Sequence, residues 1–216
     1  MANPLVELGL YGQSPWLDNI SRGLIASGQL RALIDDDGLK GVTSNPAIFE
    51  KSITGSTDYD TAIEQLAAQN KTAMDIYESL AMEDIQSAAD VLRSVYEATN
   101  GRDGFVSLEV SPYLADDTEG TIEEGRRLWQ AVDRNNVMIK IPATEAGIPA
   151  VRQLISEGLN INVTLMFSFA VYEAVAEAYI AGLEDRAAQG CDLSGINSVA
   201  SFFISRIDTL VDDLLE

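Results

Sequence analysis

The sequence contains no histidine and a single cysteine, Cys191, among its 216 residues. Without histidine, serine–histidine triads and cysteine–histidine nucleophiles are excluded, and the commonest transition-metal ligand is missing. One cysteine cannot form an intramolecular disulfide, which fits a reducing compartment. We therefore expect a cytoplasmic protein that does not depend on a metal ion.

Positive charge is scarce and long apolar runs are missing. The 34 acidic residues outnumber the 14 basic ones, which gives a net charge of −20. Such a chain lacks the basic footprint of a nucleic-acid-binding protein and has no attraction for an anionic membrane surface. No run of about 18 apolar residues indicates a membrane span, and the N-terminus lacks the pattern of a secretory signal. Acidic residues on predicted helices, Asp84 among them, are expected to be solvated.

What the sequence does contain is a globular composition with 46% hydrophobic residues and a sixfold alternation of β-type and helical patterns. Strands are predicted at 15–19, 41–45, 105–110, 137–142, 160–166 and 198–202. Helices are predicted at 21–33, 47–52, 57–99 with a break near 69–72, 118 or 121 to 134, 145–157, 168–189 and 204–215. This alternation is typical of parallel strands covered by helices. No linker marks a boundary, so a single domain is predicted over 1–216.

The predicted strands carry polar residues on one face, near their C-terminal ends: Asp18, Thr43, Asn45, Glu109, Lys140, Asn162, Thr164 and Ser201. In a (β/α)₈ TIM barrel, catalytic residues come from the C-terminal ends of different strands. A doubly wound open sheet, the alternative, would concentrate them at one switch point. A complete barrel has eight β/α units and about 250 residues. We therefore predict an α/β fold of the TIM-barrel type with six of the eight units, incomplete at the C-terminus.

Six strands would leave two open edges beside a polar interior, and exposed strand edges invite pairing. The chain is therefore expected to be a fragment, or to obtain its last two strands from elsewhere. A natural six-unit open sheet is the alternative. The partners expected on this basis are a homo-oligomeric copy or a complementing C-terminal segment. Without complementation, the isolated chain is expected to be weakly active or inactive.

Lys140 has the clearest chemical signal of the four lysines. It alone lies within an apolar run, on the strand face opposite to Ile139 and Ile141. Burying a lysine is unfavourable unless it is paired or its pKa falls, and a lysine of lowered pKa attacks carbonyl carbons. A Schiff base on Lys140 is therefore one hypothesis. A solvated lysine at a strand end, or a structural ion pair, is the other.

Two carboxylates accompany this amine. Asp18 and Glu109 could hold magnesium with water, or hydrolyse a glycoside. The second reaction would leave Lys140 as a mere counter-ion. One amine, an acid–base carboxylate and several amides and hydroxyls fit carbonyl chemistry on a polyol better.

Five segments, taken in order along the whole chain, resemble the signature strands of transaldolases. They are Trp16-Leu17-Asp18-Asn19, Gly41-Val42-Thr43-Ser44-Asn45-Pro46-Ala47-Ile48-Phe49, Ser107-Leu108-Glu109-Val110, Ile139-Lys140-Ile141-Pro142-Ala143-Thr144 and Ile161-Asn162-Val163-Thr164-Leu165-Met166-Phe167-Ser168. The long segment between the second and third strands resembles the larger bacterial-type branch, also found fused to a glucose-6-phosphate isomerase. Family members continue beyond the sixth strand, where they have a further phosphate-binding arginine.

The resemblance implies a (β/α)₈ barrel and a class I aldolase of the pentose phosphate pathway that uses no cofactor. Such an enzyme transfers a dihydroxyacetone unit from sedoheptulose 7-phosphate or fructose 6-phosphate to an aldose phosphate. By resemblance, Lys140 attacks C2 of the ketose, and Glu109 and Thr164 activate the water of imine formation. Asp18 takes the proton of the C4 hydroxyl and later returns it.

The resemblance also implies the substrate contacts. Asn45 and Asn162 would hold the dihydroxyacetone hydroxyls, and Thr43 belongs to the same polar set. Ser201 and Arg206 match substrate and phosphate contacts. Arg206 near the start of the last helix also suits phosphate physically, although an ordinary surface arginine is the alternative. Phe203 and Glu109 match transaldolases, since fructose-6-phosphate aldolases carry tyrosine and glutamine there. An aldolase-like lyase, or a non-catalytic truncated chain needing a partner chain, are the competing functions.

Overall fold

The computed structural model of the protein describes residues 3–215, in which parallel strands alternate with helices. The strands are β1 (Trp16–Asp18), β2 (Gly41–Thr43), β3 (Phe105–Glu109), β4 (Val137–Pro142), β5 (Ile161–Met166) and β6 (Ser198–Phe202). The helices are α1 (Pro4–Leu8), α2 (Arg22–Ala26), α3 (Gln29–Asp37), α4 (Pro46–Thr54), α5 (Asp60–Ala68), α6 (Ala73–Ala98), α7 (Thr118–Val132), α8 (Gly147–Glu157), α9 (Phe169–Ala188) and α10 (Ile204–Leu215). Short 3₁₀ turns span Gly9–Tyr11 and Pro112–Leu114.

The strands follow one another in the sheet in chain order, from β1 to β6. Each strand is followed by at least one helix, so six consecutive β/α units are present among the described residues. This is the α/β, TIM-barrel-type fold that the sequence predicts. The chain divides into two compact units, residues up to 108 with 131–137, and residues 109–130 with those from 138 onward. The single-domain organisation stays a prediction.

The first unit contains β1, β2 and most of β3, with Leu17 aligned with Val42 and Val42 with Val106. A side chain at position 41 would collide with the ring of Trp16, so Gly41 allows the two strands to pair. Helix α6 begins with a capping box between Thr72 and Asp75. Its buried face contributes to the apolar core of this unit and consists of Leu80, Ala81, Ile85, Ala88, Ala89, Leu92 and Val95 together with Asp84.

The second unit contains β4 from Met138 onward, β5 and β6. Their register pairs Ile139 with Ile161 and Ile161 with Ser198. The apolar face of these strands is fully buried at Ile139, Ile141 and Ile161. Helices α8 and α9 pack closely, because a Cβ at Gly182 would lie 2.7 Å from the carbonyl oxygen of Arg152. One face of β4 and β5 thus faces an apolar core, and the other is left for polar residues.

All six predicted strands are confirmed, and most helix positions with them. The helix predicted over 21–33 is instead two helices, α2 and α3, because Gly28 between them adopts a left-handed conformation with φ +79°. Of the two predicted starts of the helix that ends near 134, Thr118 is the one found. Thr121 lies within α7, where its hydroxyl donates to the carbonyl of Leu114 at 3.0 Å. Helix α1 was not predicted. No helix within residues 3–215 is long and apolar enough to cross a membrane.

Candidate active site

Lys140 lies in the middle of β4 and is buried, with 4% of its surface exposed. Its Nζ lies 3.4 Å from Oε2 of Glu109, the last residue of β3. The backbone holds the two residues at this separation, because the amide of Val110 donates to the carbonyl of Lys140 at 3.1 Å. Lys140 is therefore not a solvated lysine at a strand end. It is one member of a buried charge pair, which balances part of the loss of hydration of both ions.

Asn162 and Thr164 lie on β5, beside Lys140 and on the same face. The strand register aligns Lys140 with Asn162 and Pro142 with Thr164. Both polar side chains are almost fully buried. Ser201 on β6 donates its hydroxyl hydrogen to Oδ1 of Asn162 at 2.9 Å, which fixes the orientation of that amide group. The second unit thus brings together an amine, a carboxylate, an amide and two hydroxyls from four neighbouring strands.

Phe203 and Arg206 follow β6 and form a stack with a third residue, Phe167, which comes just after β5. The rings of Phe167 and Phe203 are 5.5 Å apart and nearly parallel, with an angle of 19°. The guanidinium carbon of Arg206 lies 4.4 Å from the centre of the Phe203 ring. Arg206 belongs to the first turn of α10 and is exposed. Sequence reasoning missed Phe167, because ring stacking between two loops leaves no periodic signal in the chain.

The remaining predicted residues belong to the first unit. Asp18 ends β1, is exposed, and is aligned with Thr43 at the end of β2. Oγ1 of Thr43 is buried and has no hydrogen-bond partner within the described part of the chain. The side-chain oxygen of Asn45 accepts a hydrogen bond from the amide of Ile48 at 2.9 Å and so caps α4. A ligand contact of Asn45 would therefore come from its Nδ2.

The structure corrects the expectation that Asp84 is solvated. Asp84 is buried on α6, where it accepts hydrogen bonds from the hydroxyl of Tyr59 at 2.7 Å and from Nε of Arg22 at 3.0 Å. Loss of hydration raises the pKa of Asp84 and also that of Tyr59. This network ties α2, the start of α5 and α6 together, so we assign it a structural role. The signal in the sequence was its spacing, four residues after Leu80 and four before Ala88, which places Asp84 on the same helix face as these two apolar residues.

A metal site does not emerge from the acidic residues. Within the described range 3–215, no group of three or more His, Cys, Asp or Glu side chains is placed to hold a metal ion. Asp18 and Thr43 of the first unit end their strands, whereas Lys140 and Asn162 of the second unit lie within theirs. An amine beside a carboxylate, with amide and hydroxyl groups around it, is an arrangement that can bind a polyol and attack a carbonyl carbon.

Comparison with known proteins gives consistent matches along the chain. The family model described as "Transaldolase/Fructose-6-phosphate aldolase" matches residues 15–216. "Transaldolase 2" of Nostoc sp. is 54% identical over 214 residues, which are 99% of this chain and 56% of that relative. A transaldolase of Trichodesmium erythraeum is 52% identical over 216 residues, 100% of this chain and 57% of the relative. One of Thermobifida fusca is 51% identical over 215 residues, 100% of this chain and 58% of the relative. The chain therefore spans a little over half the length of these curated relatives.

Proposed function

Because the chain belongs to the transaldolase/fructose-6-phosphate aldolase family, we propose that it carries the Schiff-base chemistry of a transaldolase. In this proposal, a dihydroxyacetone unit passes from sedoheptulose 7-phosphate or fructose 6-phosphate to an aldose phosphate while bound to Lys140. The observation that carries the proposal is the pairing of a buried lysine with a carboxylate at 3.4 Å. We assign the reaction to the pentose phosphate pathway in the cytoplasm.

The first proposed step is attack of the Lys140 amine on the C2 carbonyl carbon of the ketose phosphate. An amine attacks only in its neutral form, so one proton must first leave Nζ. Glu109, the neighbouring carboxylate, would accept that proton. The carbinolamine then loses one water molecule and becomes an imine. Glu109 and Thr164 would hold this water, and would activate a water molecule again when the imine is hydrolysed.

The second proposed step breaks the C3–C4 bond. Asp18 would accept the proton of the C4 hydroxyl, and the bonding electrons would move into the imine to give an enamine. The aldose phosphate leaves with a new aldehyde at C4. The enamine carbon then attacks the aldehyde of the acceptor, Asp18 returns its proton to the new hydroxyl oxygen, and water releases the product. This role for Asp18 comes from the family resemblance, and its exposed position at the end of β1 is compatible with it.

The proposed substrate contacts use the other polar residues. Asn162 and Asn45 would hold the hydroxyls of the dihydroxyacetone unit. The hydrogen bond from Ser201 keeps the Asn162 amide in one orientation, and a ligand hydroxyl would supply the partner that Thr43 Oγ1 lacks among the described residues. Arg206 would bind the phosphate group through a charge-assisted hydrogen bond. Phe203 beside it supports transfer over simple cleavage, because the resemblance places tyrosine there in aldolases.

Borohydride trapping tests the covalent step directly. The chain is incubated with fructose 6-phosphate and sodium borohydride, and the modified peptide is located by mass spectrometry. We expect a reduced adduct on Lys140. The variant Lys140→Arg keeps a positive charge beside Glu109 but cannot form the imine, so it should give no adduct. Lys51→Arg, which changes an exposed lysine, should be trapped like the wild type.

Two outcomes would contradict the Schiff-base proposal: no adduct in the wild type, or an adduct that survives in Lys140→Arg. Erythrose 4-phosphate separates the two candidate reactions of the family. Transfer to this acceptor supports a transaldolase, whereas free dihydroxyacetone released without any acceptor supports the aldolase-like lyase. Full turnover by the 216-residue chain alone would contradict the expectation of weak activity.

A further inference from the structure

Strand β5 ends in an irregularity that changes its register with β6. Val163 is aligned with Ala200, but Met166 is aligned with Phe202, so β5 has one residue more than β6 over this interval. Leu165 lies within the bulge, with φ +62° and an exposed side chain. A left-handed backbone is unfavourable for leucine, and such strain persists only where surrounding contacts impose it. Here the flanking carbonyls of Thr164 and Met166 accept hydrogen bonds from Ala143 and Phe203.

The bulge determines which residues meet beyond the strand ends. With the register found at Val163, Phe167 would come level with Ile204. With the register found at Met166, it comes level with Phe203 instead, and the two rings stack at 5.5 Å. Arg206 then lies over Phe203, with its guanidinium carbon 4.4 Å from the ring centre. A strained bulge and an ordered stack of two rings and a cation are thus parts of one arrangement.

We infer that Phe167 is a positioning residue, which acts through Phe203 to hold the Arg206 guanidinium for a ligand phosphate. The inference rests on the proposed function, in which Arg206 binds phosphate. An exposed arginine otherwise samples many rotamers, and their loss opposes binding. Because Phe167 stacks on Phe203 and Arg206 lies over the same ring, contact with Phe167 that fixes the Phe203 ring also restrains the guanidinium. Phe167 therefore raises the selectivity of the site for phosphorylated over unphosphorylated ligands.

Phe169 provides a matched control for Phe167. It is also an exposed phenylalanine beside β6, but it lies against Phe202, at 6.2 Å, and not against Phe203. If aromatic packing at this end of the unit mattered only for stability, Phe167→Leu and Phe169→Leu should have similar effects. The inference requires that only Phe167→Leu changes the preference for phosphate.

The test is calorimetric titration of the chain with fructose 6-phosphate and with fructose. The wild type should prefer the phosphorylated sugar, and Phe167→Leu should lower the ratio of the two affinities about twofold to fivefold, the size of an exposed cation–π contact. Phe167→Tyr keeps an aromatic ring at this position and should have the wild-type ratio of affinities. Phe169→Leu should also leave that ratio unchanged. In an Arg206→Ala background, Phe167→Leu should have no further effect, because the guanidinium that it positions is gone.

Leu165 offers a second pair of variants. Glycine adopts a positive φ readily, so Leu165→Gly should keep the bulge and the phosphate preference. Valine is β-branched and disfavours that conformation, so Leu165→Val should lower the preference as Phe167→Leu does. Equal effects of the two Leu165 variants would contradict the link between bulge and stack.

A ligand-free measurement completes the test. The Nε–H signal of Arg206 in the NMR spectrum should be displaced by the ring current of Phe203, and Phe167→Leu should move it towards the position of a free arginine. An unchanged signal, or equal loss of affinity for both sugars, would overturn the inference. A wild-type chain without any phosphate preference would overturn it together with the phosphate role of Arg206. Phosphate preference without a borohydride adduct on Lys140 would overturn only the proposed Schiff base.

Discussion

Asp84 provides a prediction whose size can be worked out from its contacts. Its carboxylate is 3% exposed and accepts two hydrogen bonds, one from the charged Arg22 and one from the buried Tyr59. Asp84→Ala would leave the Tyr59 hydroxyl hydrogen without its acceptor and Arg22 without its buried partner. Breaking a buried charge pair typically lowers the free energy of unfolding by about 3–5 kcal/mol.

Two features reduce that value for Asp84. Arg22 is 24% exposed and keeps a second partner, Glu83, at 2.8 Å, so its charge remains partly hydrated and paired. Folding also removes water from the Asp84 carboxylate, which raises its pKa. Asp84→Ala abolishes this dehydration cost, so part of the lost stability is offset. We therefore expect Asp84→Ala to lower the free energy of unfolding by about 2–3 kcal/mol. Glu83→Ala removes a carboxylate that is 57% exposed, and the expected loss is about 0–1 kcal/mol.

Urea unfolding followed by circular dichroism measures both variants. With a urea m-value of about 2–3 kcal/mol per molar, Asp84→Ala should lower the midpoint by about 1 M, and Glu83→Ala by a third of that or less. A Glu83→Ala variant as unstable as Asp84→Ala would refute the reasoning, because the exposed ion pair would then contribute as much as the buried one.

Three further predictions follow from individual contacts. Burial raises the folded-state pKa of Asp84. The stability linked to its protonation is therefore present below the unfolded-state pKa of about 4, and it is lost as the pH rises through the folded-state pKa. The wild type should lose stability relative to Asp84→Asn over that rise, and parallel pH profiles of the two proteins would contradict this. Asn45→Ala should lower the free energy of unfolding by about 1 kcal/mol, because α4 loses its cap. Asn45→Asp should keep that stability but lose the Nδ2 donor proposed to bind the substrate. Melting temperatures and borohydride trapping rates of both variants check this. Gly182→Ala should destabilise the protein by about 1–3 kcal/mol, because the new Cβ would lie 2.7 Å from the carbonyl oxygen of Arg152. A Cβ at Gly9 would have nothing within 4 Å, so Gly9→Ala should be neutral or slightly stabilising. Thermal unfolding that ranks the two variants in the opposite order would be inconsistent with the packing of α8 on α9.

The strand face that carries Lys140 could be predicted from the sequence alone. Alternation along Val137–Pro142 separates Lys140 from Ile139 and Ile141, and this follows from the geometry of a strand whatever it packs against. The repeated order of strand and helix predicted the TIM-barrel-type fold in the same way. Short motifs at the strand ends were then enough to recognise the family, because each places a particular reactive or polar side chain at a defined position of its strand.

Other features depended on residues far apart in the chain. Asp84 looked like a solvated helix residue, since its partners Arg22 and Tyr59 are 62 and 25 residues away. The pairing of Lys140 with Glu109, the bulge at Leu165 and the stack of Phe167 on Phe203 depend on how neighbouring strands are aligned.

The sequence by itself therefore determined the elements, their polar faces and the family, because periodicity and capping act within a few residues. Only the tertiary structure decided which charges are paired, which hydroxyl lacks a partner among residues 3–215 and which rings meet. Register between strands is fixed by the packing of whole faces, so a shift of one residue changes every contact beyond it. At Leu165 that single residue is what brings Phe167 level with Phe203.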